Sequence, residues 1–392
     1  MKISSFLLAV MMLFTALMAA GCTPISLNKE WSYKSDVKTL DIGVYIYSLD
    51  TAYQQALTYA KELEDYDETK DTWLDMEITD DDGNKEVASK WIKEQADKMC
   101  LSYLVLEEQL KAENVKIDEA TLASADEQAE TYWNVGQYAD YGYVMPMSED
   151  LIPYGISLDS FKYCTTQYST KYQALFNAIY GKGGSKEVAD SDLEKYFTEN
   201  FVDYSYFSVN LYSSSADETG TSTTNTALSE SEAKKLTDEI DGYAKDINNG
   251  KSYEDVMSEY MQANNVTTDP STSNVETLEA SSMGDELKDA VKKLDSEKAT
   301  TLKVGTGESA VYYLIYKRDI NNDIDDYAKN ETNRPQVLSA MKSEEYADYI
   351  DGLAKDLKYE KNESVLNQYE PKMFFVATVP TTSATATTTA AQ

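Results

Sequence analysis

Apolar positions along this chain change period part-way. From about position 39 to Ile179 they recur at helical spacing. Ile92, Ala96, Met99, Tyr103, Leu106 and Leu110 fall at steps of four and three, which predicts one long helix with a single apolar stripe. Phe161, Cys164, Tyr168, Leu175 and Ile179 mark another. Between Trp73 and Trp91 the helical pattern breaks at WLDMEITDDDGNKEVASKW, where Asp82-Gly83 predicts a tight turn. Its three aspartates suggest calcium, but Ile78 stands where a calcium loop needs its first acidic ligand, so no metal is expected.

GKGGSKEVADSDLEKYFTEN, positions 181–200, marks a boundary. The glycines end one helix, and Ser191 with Glu194 predicts a capping box that starts a short new one. VDYSYFSV, positions 202–209, then reads as a strand whose large side chains come at Tyr204, Tyr206 and, after a slip, Val209. YSSSADETGTSTTNTA is polar and reads as a flexible loop. Ser229 and Glu232 form a second capping box, opening a helix on Leu236, Ile240, Tyr243 and Ile247 that stops at Asn249-Gly250. Tyr253, Val256, Met257 and Tyr260 predict a second helix, and Met283, Leu287, Ala290, Val291 and Leu294 a third. ATTLKVG and SAVYYLIYKRD close the region as two strands, giving an α+β unit with an antiparallel sheet. Pro335 opens a last helix with its stripe on Tyr346, Ile350, Leu353 and Leu357, and VPTTSATATTTAAQ reads as a disordered tail.

The first residues change the picture from fold to compartment. Lys2 precedes an apolar run from Ile3 to Met18, too short for a comfortable membrane span, and Ala19-Ala20-Gly21-Cys22 follows. This resembles a bacterial lipobox, which implies cleavage before Cys22, lipid on its thiol and an extracytoplasmic, membrane-anchored protein. The other cysteines are Cys100 and Cys164. An exported pair can form a disulfide, but each also falls on an apolar helix face, which favours two buried free thiols; the sequence leaves both open. Net charge is −34, with no histidine among 392 residues. Such a surface repels nucleic acid and anionic lipid, so neither is an expected partner, and it keeps a protein soluble while it handles sticky ones.

NNGKSYEDVMSEY, positions 248–260, resembles the segment after the first helix of parvulin-type peptidyl-prolyl isomerase domains. MGDELKDAVKKLDSEKATTLKVGTGESAVYYLIYKRD resembles their second half. Together with helical blocks on either side and a lipobox, the layout is similar to the extracytoplasmic foldases described as PrsA-like and SurA-like. The resemblance covers about positions 191–319. It implies that Met283 and Leu287 line a proline pocket. It also places Tyr206 and Tyr313 where the family carries histidines, one in the first strand and one in the last. The family's Gly-Gly-Asp-Leu-Gly stretch is replaced by SNVETLEASS, and Asp269 is the nearest match to a third polar position.

The expected fold is therefore α+β: a mainly helical chaperone module with an inserted parvulin-like domain. The boundaries read as signal peptide 1–21, spacer 22–38, helical domain 39–200, parvulin-like domain 201–320, C-terminal helix 321–370 packing on the helical domain, and disordered tail 371–392. Rotation about an X-Pro bond breaks no covalent bond, so a dry, apolar grip on the ring helps even without histidine. The implied function is a foldase or holding chaperone for unfolded secreted proteins, with weak or absent isomerase activity, no cofactor, and an apolar cradle in its helical part. Two alternatives stand beside it: an active isomerase in which Tyr206 and Tyr313 replace the histidines, and a solute-binding or scaffolding surface lipoprotein.

Overall fold

The computed structural model describes residues 30–216, 223–264, 266 and 273–377. The predicted signal segment, Cys22, Asp269 and the tail beyond 377 lie outside them. The fold is α+β with small antiparallel sheets, and the chain divides into two compact units, 1–187 with 342–392, and 188–341.

The first unit opens with β1 (Trp31–Lys34) and β2 (Thr39–Asp41), followed directly by α1 (Ile42–Ala60). A hairpin of β3 (Glu77–Thr79) and β4 (Lys85–Val87) turns at Gly83, whose φ of +80° suits glycine. It leads into α2 (Ala88–Ala112), which packs on α1. The predicted stripe is the reason: Ile92, Ala96, Tyr103, Leu106 and Leu110 are buried, and Met99 is partly so. Next come α3 (Glu119–Asn134), capped by the Asp118 carboxylate accepting from the Thr121 N–H at 2.8 Å, and the short α4 (Met147–Leu151). The second predicted helix is a run of α5 (Leu158–Lys162), one π-helical turn at Tyr163–Gln167, and α6 (Tyr168–Tyr180). Cys100 and Cys164 are buried free thiols in the same core, each pushed up in pKa by burial.

The second unit begins with α7 (Asp190–Asn200), which lacks a side-chain cap. The predicted Ser191–Glu194 box does not form. Asp190 is already helical and is held by the Arg334 guanidinium at 3.0 Å. Then follow β5 (Phe201–Asn210), β6 (Tyr212–Ala216), β7 (Thr223–Ala227), α8 (Glu230–Asn248) and α9 (Tyr253–Asn264). β8 (Asn274–Thr277), α10 (Asp285–Lys293), β9 (Lys298–Val304), β10 (Val311–Lys317) and α11 (Ile324–Tyr327) complete it. The capping box at Ser229 and Glu232 is present, and α8 ends at Asn249-Gly250 with Gly250 at φ +103°. Of the segment read as a flexible loop, Tyr212–Ala216 and Thr223–Ala227 pair instead as the strands β6 and β7, their side chains largely exposed, while 217–222 lie outside the described residues.

One four-stranded antiparallel sheet, in the order β8-β5-β10-β9, organises this unit. Phe207, Leu314, Tyr316 and Ala299 face α8 and α9, burying Ile240, Ile247, Val256 and Met257. Tyr204 and Ile315 lie on the other face, against Leu287 and Val291 of α10. Alternation along the strands makes both faces, as a period of two must. The β5–β10 register runs without interruption, so the slip expected before Val209 is absent and Val209 packs with Phe207.

α12 (Arg334–Ala354) carries the chain back into the first unit, where β11 (Glu360–Lys361) and α13 (Glu363–Leu366) follow. Tyr346 is buried against Tyr172, Phe176 and Tyr180. Three sequence-based boundaries shift. Residues 31–38 are not spacer: β1 pairs with both β2 and β11, and the buried Ser32 hydroxyl donates to the Leu40 and Asp41 carbonyls at 3.1 and 3.0 Å. The second unit spans 188–341 rather than 201–320, because α7 and the start of α12 belong to it. Residues 371–377 are packed rather than tail, with Phe374 between the rings of Tyr53 and Tyr154 at 5.5 and 4.8 Å.

Candidate functional site

The sheet face under α10 brings together the four residues singled out in the second unit. Tyr206 projects from β5 beside Tyr204, the two rings stacked with centroids 6.1 Å apart. Tyr313 projects from β10 and lies 6.1 Å from Tyr206, at an interplanar angle of 50°. Leu287 is buried beneath, in contact with Tyr204 and Ile315, while Met283 and Tyr313 pack at the margin of that cluster. Tyr206 remains 39% exposed. The result is a shallow aromatic and aliphatic patch with a buried floor and an open top.

The polar side of this patch is Tyr204, which sequence reasoning treated as an ordinary strand residue. Its hydroxyl donates to the Glu276 carboxylate and lies 3.3 Å from Ser281 Oγ. Burial first, and then Glu276, push the Tyr204 pKa upward, so it stays a protonated donor. Ser281 Oγ in turn accepts from the Met283 N–H at 3.2 Å. Tyr204 thus fixes the segment that presents Met283. The SNVETLEASS stretch supplies both Glu276 and Ser281, with β8 paired to β5 through Phe201↔Thr277 and Tyr204↔Asn274.

On the opposite face lies a second arrangement that sequence reasoning missed. Asp203, 2% exposed, accepts from the Ser273 hydroxyl, and the Arg318 backbone N–H donates to its carbonyl at 2.9 Å. The Arg318 guanidinium donates to Ser205 Oγ at 2.6 Å and lies over the rings of Tyr253 and Tyr316. Asp323 has a buried oxygen with no hydrogen-bond donor among the described residues, and burial, followed by repulsion from Asp203, raises its carboxyl to about 6. The sequence signal was an aspartate inside an apolar strand, which needs a buried cation.

In the first unit, a cleft of about 270 Å³ is lined by Lys38, Asp41, Asp126, Asp159, Lys162 and Gln167. Leu40, Val44 and Tyr163 line it as well, so charged and apolar side chains share its wall. Large exposed apolar side chains of this unit cluster between Tyr138 and Ile152, with Val87 and Tyr359 exposed singly. Among the described residues no group of acidic or cysteine side chains could hold a metal ion, and no helix is long and apolar enough to cross a membrane.

No family model matches the sequence, and no curated protein matches it. Two similar solved structures are foldase protein PrsA from Streptococcus pneumoniae and PrsA from Bacillus subtilis. The first is 15% identical over 76% of this chain and 99% of that chain, with a TM-score of 0.32. The second is 17% identical over 72% and 93%, with a TM-score of 0.26. Overlap at this level leaves function to be argued from the residues themselves.

Proposed function

We propose that the chain is a foldase or holding chaperone for unfolded secreted proteins, anchored outside the cytoplasm by lipid on Cys22, with a parvulin-like second unit that retains little isomerase activity. The observation that carries the reading is the gathering of Tyr206, Tyr313, Met283 and Leu287 on one sheet face under α10. An apolar floor with two aromatic walls suits a proline ring and its neighbours. What the patch lacks is a deep, dry enclosure: Tyr206 is only partly covered, and a twisted amide gains little from donors that water already competes with. Client contact without strong catalysis fits that geometry better than rapid isomerisation does.

The charge supports the same reading. An excess of 34 negative charges keeps a chain soluble while it exposes apolar surface. The test is the cis-to-trans rate of a proline peptide, measured with and without the protein, beside the peptide's binding to it. Binding with little acceleration is expected. Strong acceleration would establish the active isomerase, and no binding to any unfolded chain would leave the solute-binding or scaffolding reading.

A further inference from the structure

The segment from Gly136 to Ile152 exposes more large apolar surface than any comparable stretch among the described residues. Tyr138 is 43% exposed, Tyr141 79%, Tyr143 65%, Val144 70%, Met145 44% and Ile152 48%. Side chains of this size normally face inward, and exposed runs of them mark interaction surfaces.

The backbone beneath is fixed. At the base, the Met145 N–H donates to the Val135 carbonyl at 2.7 Å, and the Gly136 N–H to the Thr131 carbonyl at 3.1 Å. Gly136 has φ +104°, and a Cβ there would collide with the Met145 carbonyl, so glycine is needed to close the loop. At the tip, the Tyr138 carbonyl accepts from the N–H groups of Tyr141 and Tyr143 at 3.0 and 3.2 Å. Trp133 and Leu151 bury themselves on either side. The loop is therefore built to hold its aromatic side chains outward.

We propose that this loop is a docking surface for extended apolar segments of unfolded polypeptide that carry lysine or arginine. The proposal rests on the client-binding reading above and adds where, in the first unit, clients dock and which ones. Charge selects the occupant. Positions 136–152 contain Asp140, Glu149 and Asp150 and no lysine or arginine. Neither Glu149 nor Asp150 has an ion pair among the described residues. A second copy would bring the same acids to the interface, and an anionic lipid surface would be repelled in the same way. Tyrosine and methionine also suit varied sequences, offering broad contact with adaptable geometry.

The test uses the full-length protein and two fluorescein-labelled peptides that alternate leucine and phenylalanine with lysine in one and glutamate in the other. The variant combines Tyr141→Ser, Tyr143→Ser and Val144→Ser, all at solvent-facing positions. Anisotropy is expected to show the lysine peptide bound at least about tenfold tighter than the glutamate peptide, and to lose about tenfold or more in affinity in the variant. Equal affinity in wild type and variant would overturn the loop as the docking surface while leaving client binding intact. Binding of neither peptide by the wild type would overturn both. A concentration-dependent dimer lost in the variant would assign the surface to a second copy, and flotation with phosphatidylcholine vesicles lost in the variant would assign it to lipid; either would overturn the peptide occupant.

Discussion

Tyr206 and Tyr313 are diagonal neighbours across β5 and β10: Tyr206 is paired with Ile315, Tyr313 with Ser208, and the two rings meet at 6.1 Å. Diagonal pairs of large side chains stabilise a sheet by contact alone. Tyr206→Phe keeps that contact and removes one exposed hydroxyl. It is expected to leave proline-peptide binding and turnover within about twofold. A hydroxyl that held the substrate would be worth about 0.5–1.5 kcal/mol, roughly a 2- to 13-fold loss, and peptide kinetics on the variant separate the two.

The helical unit carries its own titrating group. Asp50 on α1 is 4% exposed, is held by the Gln54 amide at 3.2 Å, and faces the Asp150 carboxylate. Burial is the main reason its pKa rises from 3.8 to about 6. The folded state thus holds this proton more tightly than the unfolded chain. Its stabilisation is full below about pH 4 and is lost as pH rises through 6. Asp50→Asn imitates the protonated form. The variant should match wild type near pH 4 and exceed it by roughly 3 kcal/mol above pH 7, as read from urea denaturation at both pH values. A constant difference across that range would contradict the assignment.

Arg318→Met tests the buried network of the second unit. It removes the guanidinium from Asp203 and the Arg318 hydrogen bond from Ser205 Oγ. The expected cost is about 3–5 kcal/mol, the penalty for an uncompensated buried charge. Adding Asp203→Asn should recover part of the loss. A double variant no more stable than Arg318→Met would show that Asp203 is not the reason for the arginine.

If the lipobox-like Ala19-Ala20-Gly21-Cys22 directs lipid to the Cys22 thiol, Cys22→Ala is expected to release the protein from the membrane or to block its maturation. Unchanged lipid labelling of that variant would refute the anchor.

Legibility differed by element for physical reasons. The α2 stripe and the Ser229–Glu232 cap were readable because a helix repeats its signal over several turns and a capping box fixes two side chains at one spacing. β1 and β2 escaped because three or four residues give too few alternations to distinguish a strand from a spacer. The β6–β7 hairpin escaped because its Ser, Thr and Asn side chains face water on both sides. Ser191 and Glu194 matched the capping pattern, yet Arg334, distant in sequence, holds Asp190 and the helix begins there. The site was half readable. Period-two alternation put Tyr204 and Tyr206 on one face, but it takes α10 to cover Tyr204 and β8 to bring Glu276 to its hydroxyl, while Tyr206 stays open.

Client holding with little catalysis can be measured in the refolding of a secreted protein whose slow phase is limited by a cis-proline. Unassisted, that phase takes tens to hundreds of seconds. With the protein present, the yield of native client should rise as aggregation falls, while the slow-phase rate stays within about twofold of its unassisted value. A slow phase accelerated tenfold or more, with the acceleration lost in Tyr206→Phe, would instead make the protein an isomerase and that tyrosine catalytic.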